Sequence, residues 1–163
     1  MKKKNFFDFF ALPTQFDIDL NELEKKYLQF QKQFHPDKSN SSDIEQAIII
    51  NQAYKTLCDD FFRACYLLEL KNVDISSDKN NVKPDIATLA AILELQEKIF
   101  VITDKNELEN LQKEINQEFK SLIINAIYQL ESLQIEASAQ LLIKAKYLKK
   151  SLQDIKNQKN KLD

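Results

Sequence analysis

Asp19-Leu20-Asn21-Glu22-Leu23-Glu24-Lys25-Lys26-Tyr27-Leu28-Gln29-Phe30-Gln31-Lys32-Gln33-Phe34-His35-Pro36-Asp37 carries two signals at once, a helix and its end. Asp19 stands three residues before Glu22, the spacing of a capping box at a helix start. Apolar side chains follow at Leu20, Leu23, Tyr27, Phe30 and Phe34, a 3-4-3-4 spacing that lines one face of a helix and predicts its burial. At about 100° per residue, Lys25, Gln29 and Lys32 fall on the opposite face. Pro36 ends the helix, because the residue before a proline is pushed out of the helical region.

Upstream lies a brief aromatic element, Phe6 to about Leu12, stopped by Pro13. Downstream, a polar stretch from Lys38 to Ser42 leads to a second capping box, Ser42 to Glu45. Ile44, Ala47, Ile48, Tyr54, Leu57, Phe61, Cys65 and Leu68 then mark the apolar face of one long returning helix. A connection this short between two amphipathic helices makes an antiparallel hairpin the simplest packing, with His35, Pro36 and Asp37 exposed at its tip. From Lys71 to Lys83 the pattern loses its period, which predicts a linker. The expected organisation is a helical domain over 1–75, a linker over 76–83 and a second domain over 84–163.

Pro84 suits the first turn of a new helix running to about Ile102. Asp104 and Glu107 form a third capping box, opening a helix through Leu108, Leu111, Ile115, Phe119, Leu122, Ala126, Leu130 and Leu133. The last helix uses Leu141, Ala145, Leu148, Leu152 and Ile155. The expected fold is all-α, a helical hairpin with a short packing helix followed by a three-helix bundle.

Composition supports this and narrows the function. Of 163 residues, 44% are hydrophobic and 29% charged, which suits packed domains and argues against wholesale disorder. Gly is absent and Pro occurs three times, so the residues that make tight hairpin turns are missing and helices are favoured. A net charge of −2 gives no general attraction to nucleic acid or to anionic membrane. No apolar run approaches the ~18 residues of a membrane span, and the charged segment after Met1-Lys2-Lys3-Lys4 is too short for a signal peptide. A cytoplasmic protein without signal or transit peptide is expected. Cys58 and Cys65, seven apart in a helical pattern, sit roughly 10 Å apart along the axis, too far to bridge, and are expected to be buried or semi-buried thiols. No Cys or His cluster has metal-ligand spacing, so neither metal nor cofactor is expected. Charge is uneven in the second half: residues 85–137 hold ten acidic residues against four Lys, and 138–163 hold seven Lys against two Asp. Attraction between helices explains this, and so does a basic surface for a partner.

His35-Pro36-Asp37 after an amphipathic helix with lysines on its outer face resembles the J-domain signature. The short aromatic helix, Tyr27, Phe34 and the run Ile50-Asn51-Gln52-Ala53-Tyr54-Lys55-Thr56-Leu57 stand where that family has them. The resemblance implies a loop that docks on a heat-shock ATPase, Asp37 meeting an arginine there and Lys25, Lys26, Lys32 and Lys38 steering toward an acidic surface. Other readings of the triplet are an inert surface turn, a metal site or a hydrolytic arrangement. With one His in the chain and no nucleophile in a recognisable motif, the last two lack partners, and no catalytic residues are assigned.

Arg63-Ala64-Cys65-Tyr66-Leu67-Leu68 resembles more narrowly the HscB subfamily, the co-chaperones of iron–sulfur cluster assembly. The likeness spans nearly the whole chain. Asp60 stands where that family often has Pro, which is expected to lengthen the helix. A cysteine-rich N-terminal extension of some eukaryotic members is missing, which favours a bacterial-type protein. Membership implies no enzymatic activity of its own and two partners: a DnaK-like ATPase chaperone (HscA type) and an iron–sulfur scaffold protein (IscU type).

The helix after Pro84 is apolar over too wide an arc. Ile92, Leu95, Ile99 and Ile102 centre one face, and Ile86, Leu89, Leu93 and Phe100 extend it to roughly 200°, beyond the ~100° stripe that a bundle helix needs. Either the other two helices cover it, or it is a protein-binding strip rimmed by carboxylates. The subfamily's scaffold-binding patch matches Leu89, Ala90, Leu93, Glu94 and Glu97 here, with Lys146 and Tyr147 on the last helix. Ala90 is smaller than the Met of some members, and Lys146 replaces an Arg. The rival functions are a general J-domain co-chaperone serving a housekeeping DnaK-type chaperone, a helical scaffold without chaperone activity, and a nucleic-acid binder using the basic last helix. Aromatic stacking platforms for the last of these are lacking.

Overall fold

The structure is a computed structural model that describes residues 5–33, 41–75 and 82–162. Regular structure among these residues is entirely helical: α1 (Phe6–Phe9), α2 (Leu20–Gln33), α3 (Ser41–Cys58), α4 (Asp60–Glu69), α5 (Ile86–Val101), α6 (Lys105–Glu131) and α7 (Ile135–Lys161). The chain divides into two compact units, Met1–Leu67 and Leu68–Asp163.

In the first unit, α1 begins with a reciprocal capping box, Asn5 with Asp8, that the periodicity did not announce. Asp19 starts α2 as expected, its Oδ1 accepting from the backbone N–H groups of Asn21 and Glu22. Phe7, Phe10, Leu12 and Leu23 are buried together with Ile50, Ala53, Leu57 and Phe61. Phe6 stacks on Tyr66 at 4.4 Å, and the Tyr66 hydroxyl accepts from the Phe6 N–H at 2.9 Å, fixing α1 to α4. Pairing between α2 and α3 is antiparallel, since Phe16 ahead of α2 meets Arg63 while Tyr27 further along meets Asn51 and Tyr54. The Tyr27 and Tyr54 rings lie nearly parallel, 3.9 Å apart.

Several expectations for this unit need correction. The returning helix is two helices, because Asp59 starts a new one: its Oδ1 accepts from the Phe62 N–H at 3.0 Å and its carbonyl from the Arg63 N–H at 2.8 Å. Asp60 therefore opens α4 instead of extending α3. The buried line of α3 is Ile50, Ala53 and Leu57, while Ile44 and Ile48 are exposed, as is Leu20 on α2. A run of four apolar residues, Ala47 to Ile50, fits two helical registers, and packing against α1 and α2 selected one. Cys58 is exposed and Cys65 half-buried, both as free thiols. Partial burial and the neighbouring Asp59 carboxylate push the Cys58 thiol up from its ordinary value.

In the second unit α7 packs along α6 and also against α5, so it is the central element. Leu142, Ala145, Leu148, Ser151 and Ile155 of α7 face inward, with Leu141 and Leu152 on the shoulders instead of in the core. From α6 the core takes Leu108, Leu111, Ile115, Leu122, Ile123, Ala126, Ile127 and Leu130. Leu133, expected on this face, is exposed at the turn between α6 and α7, where its φ is 61°. Pro84 lies just ahead of α5, and Asp85 is its N-cap, accepting from the Thr88 N–H at 2.6 Å. Asp104 caps α6 through the Glu107 N–H at 2.8 Å. Part of the charge asymmetry is spent between helices, in Lys144–Glu118 at 2.7 Å and Lys159–Glu109 at 3.2 Å.

Candidate functional site

Two separate surfaces correspond to the residues singled out. On the first unit, the outer face of α2 presents Lys25 and Lys32, both exposed, along a shallow groove with Asn21, Glu24, Leu28 and Gln29. Lys26 is on a different footing. Its ammonium pairs with Glu22 at 2.7 Å and donates to the Ala11 carbonyl at 3.2 Å, so it ties α2 to the end of α1. Phe34, His35, Pro36, Asp37 and Lys38 lie outside the described residues, as does the side chain of Ser42.

What holds α2 in place is a residue that the sequence flagged only as a subtype marker. Arg63 is 4% exposed. Its Nε donates to the Phe16 carbonyl at 2.8 Å, its Nη1 to the Leu57 carbonyl and its Nη2 to Asp60, while the guanidinium sits 4.7 Å from the Phe16 ring centroid. One side chain thus joins the loop before α2 to the break between α3 and α4. Spacing alone could not reveal this, because an arginine in an apolar run reads equally as a solvated position.

On the second unit, the arc of α5 divides cleanly. Ile92 and Ile99 are buried toward the bundle, and Ile102 just after the helix is buried too. Leu89 and Leu93 are 41% and 61% exposed, Ala90, Glu94 and Glu97 are exposed beside them, and the other two helices do not cover this side. At helical spacing, positions 89, 90, 93, 94 and 97 share one face. An apolar strip with two carboxylates on one edge has the composition of surfaces that pack against other proteins. From α7, Tyr147 is half-buried, and Lys146, though exposed over much of its length, has its ammonium donating to the Ile75 carbonyl at 3.1 Å. Its charge is thereby partly engaged within the unit. No helix among the described residues is long and apolar enough to cross a membrane.

Comparison with known proteins bears on both surfaces. Residues 5–66 match the family model of the DnaJ domain, and residues 84–156 match that of the HSCB C-terminal oligomerisation domain. A co-chaperone protein HscB homolog of Psychromonas ingrahamii is 33% identical over 155 residues, covering 90% of this chain and 91% of that protein. Another, from Acinetobacter baumannii, is 40% identical over 123 residues, covering 73% of this chain and 69% of its own. Among solved structures, the chaperone HscB from Vibrio cholerae superposes with a TM-score of 0.84 at 26% identity, over 98% of this chain and 100% of that one. A J-domain fold joined to this C-terminal bundle, with the likeness running the length of both units, places the chain in the HscB family of J-domain co-chaperones.

Proposed function

We propose that this chain binds an iron–sulfur scaffold protein of the IscU type through Leu89, Ala90, Leu93, Glu94, Glu97 and Tyr147, with Lys146 at the margin. It delivers that scaffold to a DnaK-like ATPase of the HscA type in the cytoplasm. His35, Pro36 and Asp37, with Lys25, Lys32 and Lys38, dock on the ATPase and stimulate its hydrolysis of ATP. Lys26 contributes chiefly by holding α2. The observation that carries the reading is the uncovered apolar strip on α5, with Leu93 61% exposed in a chain whose other half is a J-domain.

The chemistry belongs to the partner. A co-chaperone speeds hydrolysis by binding the hydrolysis-competent state of the ATPase more tightly than its resting state, and only that difference in affinity shifts the equilibrium. Pro36 restricts the chain before docking, so Asp37 is offered with less entropy left to lose. The lysines of α2, being exposed, set the association rate more than the affinity.

ATPase stimulation measured with and without scaffold tests the docking half. His35→Gln is expected to abolish stimulation, and equal stimulation by both proteins would remove the assignment. Titration calorimetry tests the other half. Leu93→Ser is expected to weaken scaffold binding by about tenfold or more. Unchanged affinity would favour a general J-domain co-chaperone serving a housekeeping DnaK-type chaperone.

A further inference from the structure

While α6 buries Leu108, Ile115, Leu122 and Ala126 within the bundle, its opposite face keeps large apolar side chains bare, with Ile124 64% and Tyr128 67% exposed. At about 100° per residue, Gln117, Ser121, Ile124 and Tyr128 fall within about 60° of one another, and all four are exposed. One flank of this stripe carries Lys120 on the N-terminal side of the apolar pair and Glu131 on the C-terminal side. Measured along the axis from the midpoint between Ile124 and Tyr128, they stand about 9 and about 7.5 Å away. Both are exposed. The other flank is uncharged at these levels, where it holds Asn125 and Ser132. Of the remaining charges, Glu109 and Glu118 are paired with Lys159 and Lys144. Lys113 and Glu114 lie almost two turns before Lys120, and exposed Glu136, at the start of α7, sits at the same end as Glu131.

We propose that this stripe is a self-association face, on which a second copy of the chain packs its own α6 in the antiparallel direction. A two-fold axis crossing the stripe between Ile124 and Tyr128 sets Ile124 level with Tyr128 of the second copy. The same axis brings Lys120 to within about 1.5 Å of the level of Glu131 of the second copy, on the same flank, and repeats that ion pair at the other end. Parallel packing would instead set Lys120 against Lys120 and Glu131 against Glu131, and like charges repel. A cation and an anion nearly equidistant from an apolar centre, on one flank, are what a two-fold contact requires; an unrelated partner requires no such symmetry. The contact is short. Four apolar side chains and their neighbours bury less than the roughly 1,200 Å² at which stable interfaces begin, so the dimer is weak and depends on concentration. Since α5 packs on α7, away from the outer face of α6, the dimer leaves the α5 strip open.

Sedimentation equilibrium on the full chain, from about 10 to about 500 μM, tests this. Average mass is expected to climb from monomer toward dimer, and a monomer across the whole series overturns the proposal. Tyr128→Ser is expected to weaken association about tenfold or more, because each dimer loses the side chain twice. Lys120→Glu is expected to weaken it about fivefold, as two like-charge contacts replace two exposed ion pairs. Adding Glu131→Lys to Lys120→Glu restores the pairs with their signs exchanged, so the double variant should associate within about twofold of wild type. No recovery in the double variant overturns the antiparallel register. A dimer that Leu93→Ser dissolves and Tyr128→Ser leaves intact puts the contact on α5 and overturns the α6 face. Calorimetry with an IscU-type scaffold separates the remaining occupant: Tyr128→Ser is expected to bind like wild type, and a tenfold loss gives the stripe to the scaffold instead of a second copy.

Discussion

Arg63 donates to the carbonyls of Phe16 and Leu57 from a position almost wholly removed from solvent, and those two bonds matter more than its ion pair. Asp60, the partner in that pair, is 64% exposed on its side chain, so screening leaves the pair a small share. Truncation strands two acceptors and removes the cation from the Phe16 ring. Arg63→Ala is expected to lower the stability of the first unit by about 2–4 kcal/mol in urea denaturation, and a loss no larger than that of a surface substitution contradicts the role. Lysine cannot substitute, since a single ammonium cannot reach carbonyls on two sides as a planar fork does. Ser151 is the opposite case. Its hydroxyl is buried in the second unit with no hydrogen-bond partner. Ser151→Ala is expected to raise stability by about 1 kcal/mol, because the desolvated hydroxyl contributes nothing in return. Unchanged or lower stability in denaturant titration argues against that.

At the scale of elements, the absence of glycine is met in an unusual way. Ala11, Asn72 and Leu133 take left-handed φ values of 45°, 67° and 61° just past helix ends. In each case the following residue closes a bond back to the last turn: Leu12 N–H to Phe7, Val73 N–H to Leu68 and Gln134 N–H to Gln129. Asn tolerates that conformation, whereas Ala and Leu are strained in it by about 1–2 kcal/mol. Leu133→Gly is expected to raise the melting temperature, as the exposed Leu133 side chain gives up little packing and the relieved strain exceeds the added freedom of the unfolded chain; a lower melting temperature refutes it. At the other end of a helix, the Asp85 carboxyl is held below its usual range by the Thr88 N–H, then by the Thr88 side chain, with Lys144 adding a smaller pull. A depressed carboxyl stabilises fully above its ordinary value of 3.8, and that contribution drains away as the pH falls below it. Asp85→Asn keeps a good cap and removes the titration. Stability of the second unit should therefore match wild type at neutral pH and fall less steeply in acid, and parallel acid curves would contradict this.

For the whole molecule, each unit has its own buried cluster, Phe7 to Ala64 in one and Ile92 to Ile155 in the other. Local opening should follow that division. Hydrogen exchange on Arg63→Ala is expected to quicken in α1, α2 and α3 and to leave α6 and α7 protected as before. Equal loss of protection in both units would show instead that they unfold as one. The exposed lysines of α2 and the exposed apolar side chains of α5 belong to different units.

Periodicity and end signals were enough to specify the all-helical class, the start of α2 at Asp19, the cap at Asp104, and an α5 with more apolar surface than its bundle needs; Pro84, expected in the first turn of α5, instead precedes its N-cap Asp85. These are local properties, encoded in spacing and in side chains that satisfy free N–H groups a turn away. Two matters belonged to tertiary structure alone. One was which of two available faces of α3 is buried, since Ile48 and Ile50 are equally apolar and only the helices packed against them distinguish the two. The other was which lysines are free: Lys25 and Lys26 are neighbours of identical chemistry, yet a carbonyl at the end of α1 lies within reach of one and not the other. Burial and pairing are relations between residues distant in the chain, and no spacing within one helix records them.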